Sequence, residues 1–385
     1  MCSVRCLIVV IVATITITAT TSLAAGSPIL SAVCGNVSTP EKVIREPYGE
    51  FNTTGAWGCF VPREARDVNI TFRWWMPGSA KPAPPLSVPP GNASDDIPGK
   101  RLGDAYLIVV CHGLPPRLAA RAETLVFSLR RQQPAGALLE VAWDIGSGCD
   151  YGDALRTDIY YCPPLKGPAE SKLYQQAAGD SRLVARALSR ALTGLVFDHG
   201  YDLAKVHLVG FGVGAHVVGF VADDLHRIGK LGRLTLLDPP ALLFVEKLGL
   251  GHLNGTGRAM MSEAVHTSSF NSCGLGIAEE LADLDVYVDG GDQPKCSNNL
   301  CSHMYALFYY TRTVERCLSG PVNETELLPG FWTPEKRGVY NVSLRQVKCP
   351  SVDMSQYLEP NSAPECVLCL YAWSLVALMV IVAER

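Results

Sequence analysis

The stretch from Lys205 to Phe220, Lys-Val-His-Leu-Val-Gly-Phe-Gly-Val-Gly-Ala-His-Val-Val-Gly-Phe, limits what this chain can fold into more than any other. Val206 to Val209 read as a short buried strand, apolar and rich in β-branched residues, with His207 the exception. Gly210-Phe211-Gly212-Val213-Gly214 then reads as a tight turn, and Ala215 onward as the start of a helix. A strand that turns at once into a helix packed beside it needs glycine wherever a Cβ would collide. Two further strands read from continuous apolar runs, Tyr106 to Cys111 and Leu139 to Trp143, and Tyr174 to Phe197 reads as an amphipathic helix. Strands alternating with helices imply an α/β architecture, a mostly parallel sheet covered on both faces.

Two chemistries use a strand, a glycine-rich turn and a helix. The dinucleotide fingerprint G-x-G-x-x-G would place Ala215 at its third glycine, an accepted variant. It also wants an acid about 20 residues on. Here Asp238 closes an apolar strand and is followed by Pro239 and Pro240. The other chemistry is the G-x-S-x-G nucleophile elbow, in which the central residue holds its hydroxyl at the tip of a strained turn. Gly210 and Gly214 are its outer glycines, and the central position is Gly212. The elbow is present and its nucleophile is not.

Val206-His207-Leu208-Val209-Gly210, Gly214-Ala215-His216-Val217-Val218-Gly219 and Gly232-Arg233-Leu234-Thr235-Leu236-Leu237-Asp238-Pro239 resemble the core of the pancreatic-type lipases. Val141-Ala142-Trp143, Tyr174-x-x-Ala177, Val265-His266-Thr267 and the run Leu284 to Pro294 are similar to further segments of that family. The resemblance covers about Tyr106 to Tyr310 and implies the α/β-hydrolase fold. It also implies a catalytic order of serine, aspartate and histidine. Asp238 matches the family's aspartate, and His303, in Cys301-Ser302-His303, matches its histidine. The turn after His112-Gly113 implies one oxyanion N–H near Leu114, and the residue after the nucleophile, Val213, implies the second. From the residues alone, Asp238 could equally end a strand and His303 could be a structural histidine.

The departures from the family point one way. Glycine has no side chain to attack a carbonyl, and loss of a triad nucleophile typically removes ~10⁶ of turnover. Phe211 stands where the family usually has histidine. The family's lid lies between two bridged cysteines, and here Cys296 and Cys301 would enclose only Ser297-Asn298-Asn299-Leu300. After Asp238, where the family gathers carboxylates for a structural calcium, only Glu246 and Glu263 stand. Neither a metal nor a cofactor is expected.

Met1 to Ala25 has the form of a secretory signal peptide, with Arg5, an apolar run and Ser22-Leu23-Ala24-Ala25 near the cleavage point. Seven N-x-Ser/Thr sequons follow, at Asn36, Asn52, Asn69, Asn92, Asn254, Asn323 and Asn341, and point to a glycosylated product of the secretory route. Of 14 cysteines, Cys2 and Cys6 go with the leader and Cys366 and Cys369 lie in an apolar tail, leaving ten. That even number suits a disulfide framework. Adjacency and the resemblance imply bridges Cys296–Cys301, Cys149–Cys162 and Cys317–Cys349, with Cys34–Cys59 as a fourth. Cys111 and Cys273 are the candidates for free thiols. No C-x-x-C pair lies between leader and tail, so zinc is unsupported.

The ectodomain is expected to be one unit over 26–365, with its core at about 100–315. Lys81 to Lys100, rich in proline and glycine, reads as an exposed loop, and Tyr305 to Arg312 as a helix. Val367 to Ala383 is an uncharged run of 17 residues ahead of Glu384-Arg385. That length is at the lower limit for a membrane span. A tail anchor, a glycosyl-phosphatidylinositol signal around Asn361-Ser362-Ala363 and a buried core helix all remain open for 366–385. A net charge of −4 gives no electrostatic case for nucleic acid.

Two branches of the family lack the serine: the insect yolk proteins, which are soluble stores, and lipase-like glycoproteins of avian herpesviruses and adenoviruses. The short chain, the sequons and the apolar end resemble the viral group more. The resemblance therefore implies a non-catalytic secreted or membrane-attached glycoprotein, at a cell surface or on a virion, that binds a lipid or a host protein. The alternatives are an ester hydrolase with a displaced nucleophile and a soluble storage or carrier protein.

Overall fold

A computed structural model describes residues 40–79, 81–87, 99–112, 116–143, 168–269, 275–296, 299–319 and 326–349. The leader, the tail at 366–385, the sequons at Asn36, Asn92 and Asn323, Leu114, Cys34, Cys273 and the Cys149/Cys162 pair lie outside the described residues.

The apolar runs become the strands of one nine-stranded sheet. In chain order these are β1 (Thr71–Trp75), β2 (Leu86–Ser87), β3 (Leu107–His112), β4 (Ala137–Ala142), β5 (Val206–Phe211), β6 (Leu231–Leu237), β7 (Ala259–His266), β8 (Leu284–Val288) and β9 (Gly338–Val342). Across the sheet they run β9-β8-β7-β6-β5-β3-β4-β1-β2. From β9 to β4 every pairing is parallel, and β1 and β2 close the far edge antiparallel. β3 and β5 are buried at every position, as strands covered on both faces must be.

Four long helices flank the sheet: α1 (Pro116–Gln132), α2 (Pro168–His199), α3 (Val213–Leu225) and α4 (Asn299–Val314). α2 packs on α3, and α1 packs on α4. This order and these layers are the α/β-hydrolase fold implied by the sequence. The buried apolar residues form one continuous cluster running from Tyr48 to Val342.

Several boundaries differ from the sequence reading. β5 runs two residues past Val209 because the ladder continues through Gly210 and Phe211, opposite Cys111 and His112 of β3. α3 begins at Val213 rather than Ala215, so the turn is tighter than the run of glycines suggests. α4 begins at Asn299, which places His303 on the helix instead of before it. Within the proline-rich loop, Leu86–Ser87 pairs with β1.

The segment before the sheet, hardly legible in sequence, docks on α2. A hairpin of Lys42–Arg45 and Gly49–Asn52 precedes it. Gly179 of α2 lies so close to this segment that a Cβ there would stand 2.5 Å from the Val61 carbonyl oxygen. One residue on, the buried Asp180 accepts from the Arg63 backbone N–H at 2.8 Å and from Arg63 Nε at 2.7 Å.

Two of the implied bridges are present, Cys296–Cys301 and Cys317–Cys349. Cys59 is also disulfide-bonded. Cys111 is a free, buried thiol whose burial pushes its pKa far up, as expected of an inert core cysteine. The described sequon residues Asn52, Asn69, Asn254 and Asn341 are all exposed. Among the described residues no helix is long and apolar enough to cross a membrane.

Candidate active site

Ligands of open α/β sheets bind at the carboxyl ends of the strands, and the implied triad positions gather at that edge. β5 ends at Phe211, and the elbow follows. A Cβ on Gly210 would stand 2.5 Å from the Gly214 carbonyl oxygen, and one on Gly214 would collide with the Cys111 carbonyl. Both outer glycines are therefore required for the strand to reverse into α3. Gly212 sits at the tip with φ 57° and ψ −128°, backbone angles that burden any residue with a side chain. Glycine takes those angles without strain, so the elbow's backbone is present here with no side chain at its tip.

Asp238 directly follows β6, at φ 45°, with its backbone N–H donating to the Val265 carbonyl at 2.8 Å. Its side chain is fully buried and every oxygen is occupied. Oδ1 accepts from the backbone N–H of Thr267 at 2.7 Å and of Ser268 at 3.0 Å. Oδ2 accepts from the Ser268 hydroxyl and from His303 Nδ1, the latter at 2.6 Å. Burial alone would raise the Asp238 pKa, but the His303 hydrogen bond and charge, the Ser268 hydroxyl and the Thr267 N–H outweigh it. The carboxyl is held below its ordinary value.

That shift makes a pH prediction. A folded pKa below the unfolded one stabilises the fold above the ordinary carboxylate pKa of about 4, and the contribution is lost as pH falls through the folded value. Asp238→Asn is expected to flatten the acid limb of stability against pH, read by denaturant unfolding at stepped pH. An unchanged acid limb would show that Asp238 contributes nothing to it.

His303 is 4% exposed. Its ring leans on Phe211, with centroids 4.6 Å apart. Its other nitrogen, Nε2, turns to Gly212. A Cβ built on Gly212 would stand 3.0 Å from Nε2, closer than most real Cβ contacts, so the imidazole borders the place a serine side chain would hold. Val213, implied by the resemblance as an oxyanion position, is the first residue of α3 and too early in the helix for its N–H to find an intrahelical carbonyl. The partner donor near Leu114 is outside the described residues.

Sequence reading located Asp238 and His303 but not what holds them. Ser268 is one missed residue. Gln293 is another: its Nε2 donates to the Thr267 carbonyl at 3.1 Å and to the Val288 carbonyl at 2.8 Å, fixing the peptide that supports Asp238. Gly276 is a third, because a Cβ there would stand 2.5 Å from Asp238 Oδ1. Of these three, only Gln293 lay in a run that gave a signal, Leu284 to Pro294, and it gave no role.

Several other buried polar groups pair with one another. His216 Nε2 donates to the Pro240 carbonyl at 2.8 Å, so His216 Nδ1 must accept from His252 Nε2, also at 2.8 Å. Burial pushes both imidazoles down, His252 to about 3, so both are neutral. Glu263 is buried and bound to Arg233, Thr235 and Tyr310, while Glu246 is exposed. Among the described residues no group of side chains could hold a metal ion.

The fold is that of the α/β hydrolases, with Gly212, Asp238 and His303 brought together at the carboxyl edge of its sheet. Residues 166–315 match the family described as Lipase. Lipase member H-B of Xenopus laevis is 35% identical over 151 residues, 37% of this chain and 31% of that protein. Phospholipase A1 2 of Polistes dominula is 32% identical over 152 residues, 38% of this chain and 46% of that protein. Hepatic triacylglycerol lipase of Bos taurus is 34% identical over 148 residues, 37% of this chain and 29% of that protein. The chain thus spans less than half the length of these relatives. The stretch matched by that family model carries Gly212, Asp238 and His303.

Proposed function

We propose that this protein is a catalytically silent, lipase-like glycoprotein of the secretory route that uses the former catalytic crevice to hold a lipid. Gly212 carries the reading. It occupies the tip of an intact elbow, beside a hydrogen-bonded Asp238–His303 pair, and offers no atom that could attack an ester carbonyl. The relatives named for lipase and phospholipase activity motivate the lipid. The exposed sequons and the disulfides agree with the secretory route. In character the protein resembles the serine-less viral glycoproteins, with Val367 to Ala383 as its attachment to a membrane and a host protein as a further partner.

The retained dyad favours one competing reading, an ester hydrolase with a displaced nucleophile. A fluorophosphonate probe and a panel of short esters, triglycerides and phospholipids separate the two. The wild type is expected to take up no probe and to hydrolyse nothing above background. Hydrolysis that disappears on His303→Ala would overturn the silent reading.

Membrane attachment has its own test. The protein is expected to stay with membranes through an alkaline carbonate wash, and deletion of Val367 to Arg385 to release it to the medium. Secretion of the intact chain with its tail would refute the attachment and favour a soluble carrier.

A further inference from the structure

We propose that an N-glycan on Asn341 covers the open edge of the central sheet and keeps a second copy of this chain from adding a strand there. The proposal goes beyond the silent-lipase reading and rests only on passage through the secretory route. Its basis is where one sequon falls in the fold. Of the four described sequon asparagines, Asn52 ends a strand of the separate hairpin, Asn69 follows a short α-helical turn, and Asn254 follows a 3-10 turn. Asn341 alone lies within the nine-stranded sheet, in its edge strand β9.

Among the described residues β9 pairs with β8 on one side and with no strand on the other. In a parallel ladder the N–H and C=O of one residue point to the same side, and successive residues alternate. The Gly338 N–H donates to the Asp283 carbonyl at 2.8 Å, so Gly338, Tyr340 and Val342 face β8. The main-chain groups of Val339 and Asn341 therefore face outward. Both residues are exposed, Val339 at 47%. A row of unpaired donors and acceptors like this is a template for another strand. The side chains of β9 do not oppose one, since Gly-Val-Tyr-Asn-Val holds no charge and no proline. Lys336 and Arg337 stop short of the strand, and Lys336 is paired with Glu326 at 2.8 Å. The opposite edge of the sheet is a weaker template, because β2 has only two residues. An incoming strand at β9 would have to hydrogen-bond to Asn341 itself, the residue from which a bulky, solubilising sugar would project. The glycan thus does for β9 what a lysine or a bulge does at other sheet edges.

The test uses full-length protein purified in a non-ionic detergent. Glycopeptide mass spectrometry reads occupancy at Asn341, and light scattering behind size exclusion reads the protein mass across a concentration series. Asn341 is expected to carry a glycan. Asn341→Gln is expected to associate into dimers or larger species at concentrations where the wild type does not. Asn254→Gln, which removes a glycan away from the sheet edge, is expected to match the wild type. Asn341→Lys, which removes the sugar but sets a charge on the edge, is expected to match it too. Should Asn341→Gln fail to be secreted, high-mannose wild type and Asn341→Lys, both trimmed by endoglycosidase H after folding, carry the test: the first is expected to associate and the second not. Association of Asn254→Gln or Asn341→Lys to the same extent as Asn341→Gln would overturn the edge role, as would equal behaviour of the two trimmed proteins. An unglycosylated Asn341 would overturn the proposal at its start, and glycans missing from every sequon would mark failure of the secretory reading as well. A glycosylated Asn341 whose Gln variant keeps the mass of the wild type would mark failure of this proposal alone.

Discussion

Gly212→Ser is expected to give at best a weak esterase on short soluble substrates, where the wild type gives none. The serine would complete a triad whose aspartate and histidine are already 2.6 Å apart. Three features hold the activity down. The new residue must adopt φ 57°, a strain of about 1–3 kcal/mol for a residue with a side chain. Its Cβ would stand 3.0 Å from His303 Nε2, so the imidazole must retreat before a hydroxyl can point at it. Phe211, packed on that imidazole, resists the retreat. Any activity gained should vanish when His303→Ala is added, because the serine then has no base. Rates with p-nitrophenyl esters for the single and double variants decide it. Activity in Gly212→Ser that survives His303→Ala would mean that the site does not work as a triad, and lipase-level turnover would mean that the retreat is free.

The second large effect is on stability. Glu263→Ala should destabilise the fold by about 3–5 kcal/mol, the range for breaking a buried ion pair from one side. Arg233 Nη2 donates to Glu263 Oε2 at 2.7 Å and to the Gly330 carbonyl at 2.8 Å, and Arg233 Nη1 donates to the Phe331 carbonyl at 2.7 Å. The Tyr310 and Thr235 hydroxyls donate to Glu263 Oε1 at 2.7 Å and 2.5 Å. Burial would lower the Arg233 pKa, but the facing carboxylate more than offsets it and the guanidinium is raised. Alanine at 263 would leave that cation buried without its anion. Replacing both partners, Arg233→Met with Glu263→Leu, should recover a large part of the loss, because well-packed apolar residues often match a buried pair. Guanidinium denaturation with the disulfides intact measures both variants. A loss below about 1 kcal/mol for Glu263→Ala would place the network's energy elsewhere.

The alternating runs of apolar residues by themselves determined the α/β class, since a continuous Val/Leu/Ile strand has to be covered on both faces. The spacing Gly210, Gly212, Gly214 determined a sharp turn, and the absence of serine at its centre was visible without coordinates. Asp238 and His303 were reached by resemblance. Local pattern could not have separated them from a strand-ending aspartate and a structural histidine, because their meaning lies in a contact across 65 residues of chain. Adjacent cysteines made Cys296–Cys301 readable for the opposite reason: the chain between them is too short to allow much else.

What only the tertiary structure decided is how these groups are held. Ser268 and Thr267 grip Asp238 because β7 lies beside β6 in the sheet, and Gln293 braces that peptide from a loop that follows β8. Glu263 had no role assignable from sequence, and it is β7 that carries it opposite Thr235 of β6, into reach of Arg233 and Tyr310. The placement of the His303 ring against Gly212 is the clearest case. It depends on where helix α4 sits over the sheet and on the space a missing side chain leaves, and neither quantity is a property of residues near one another in sequence.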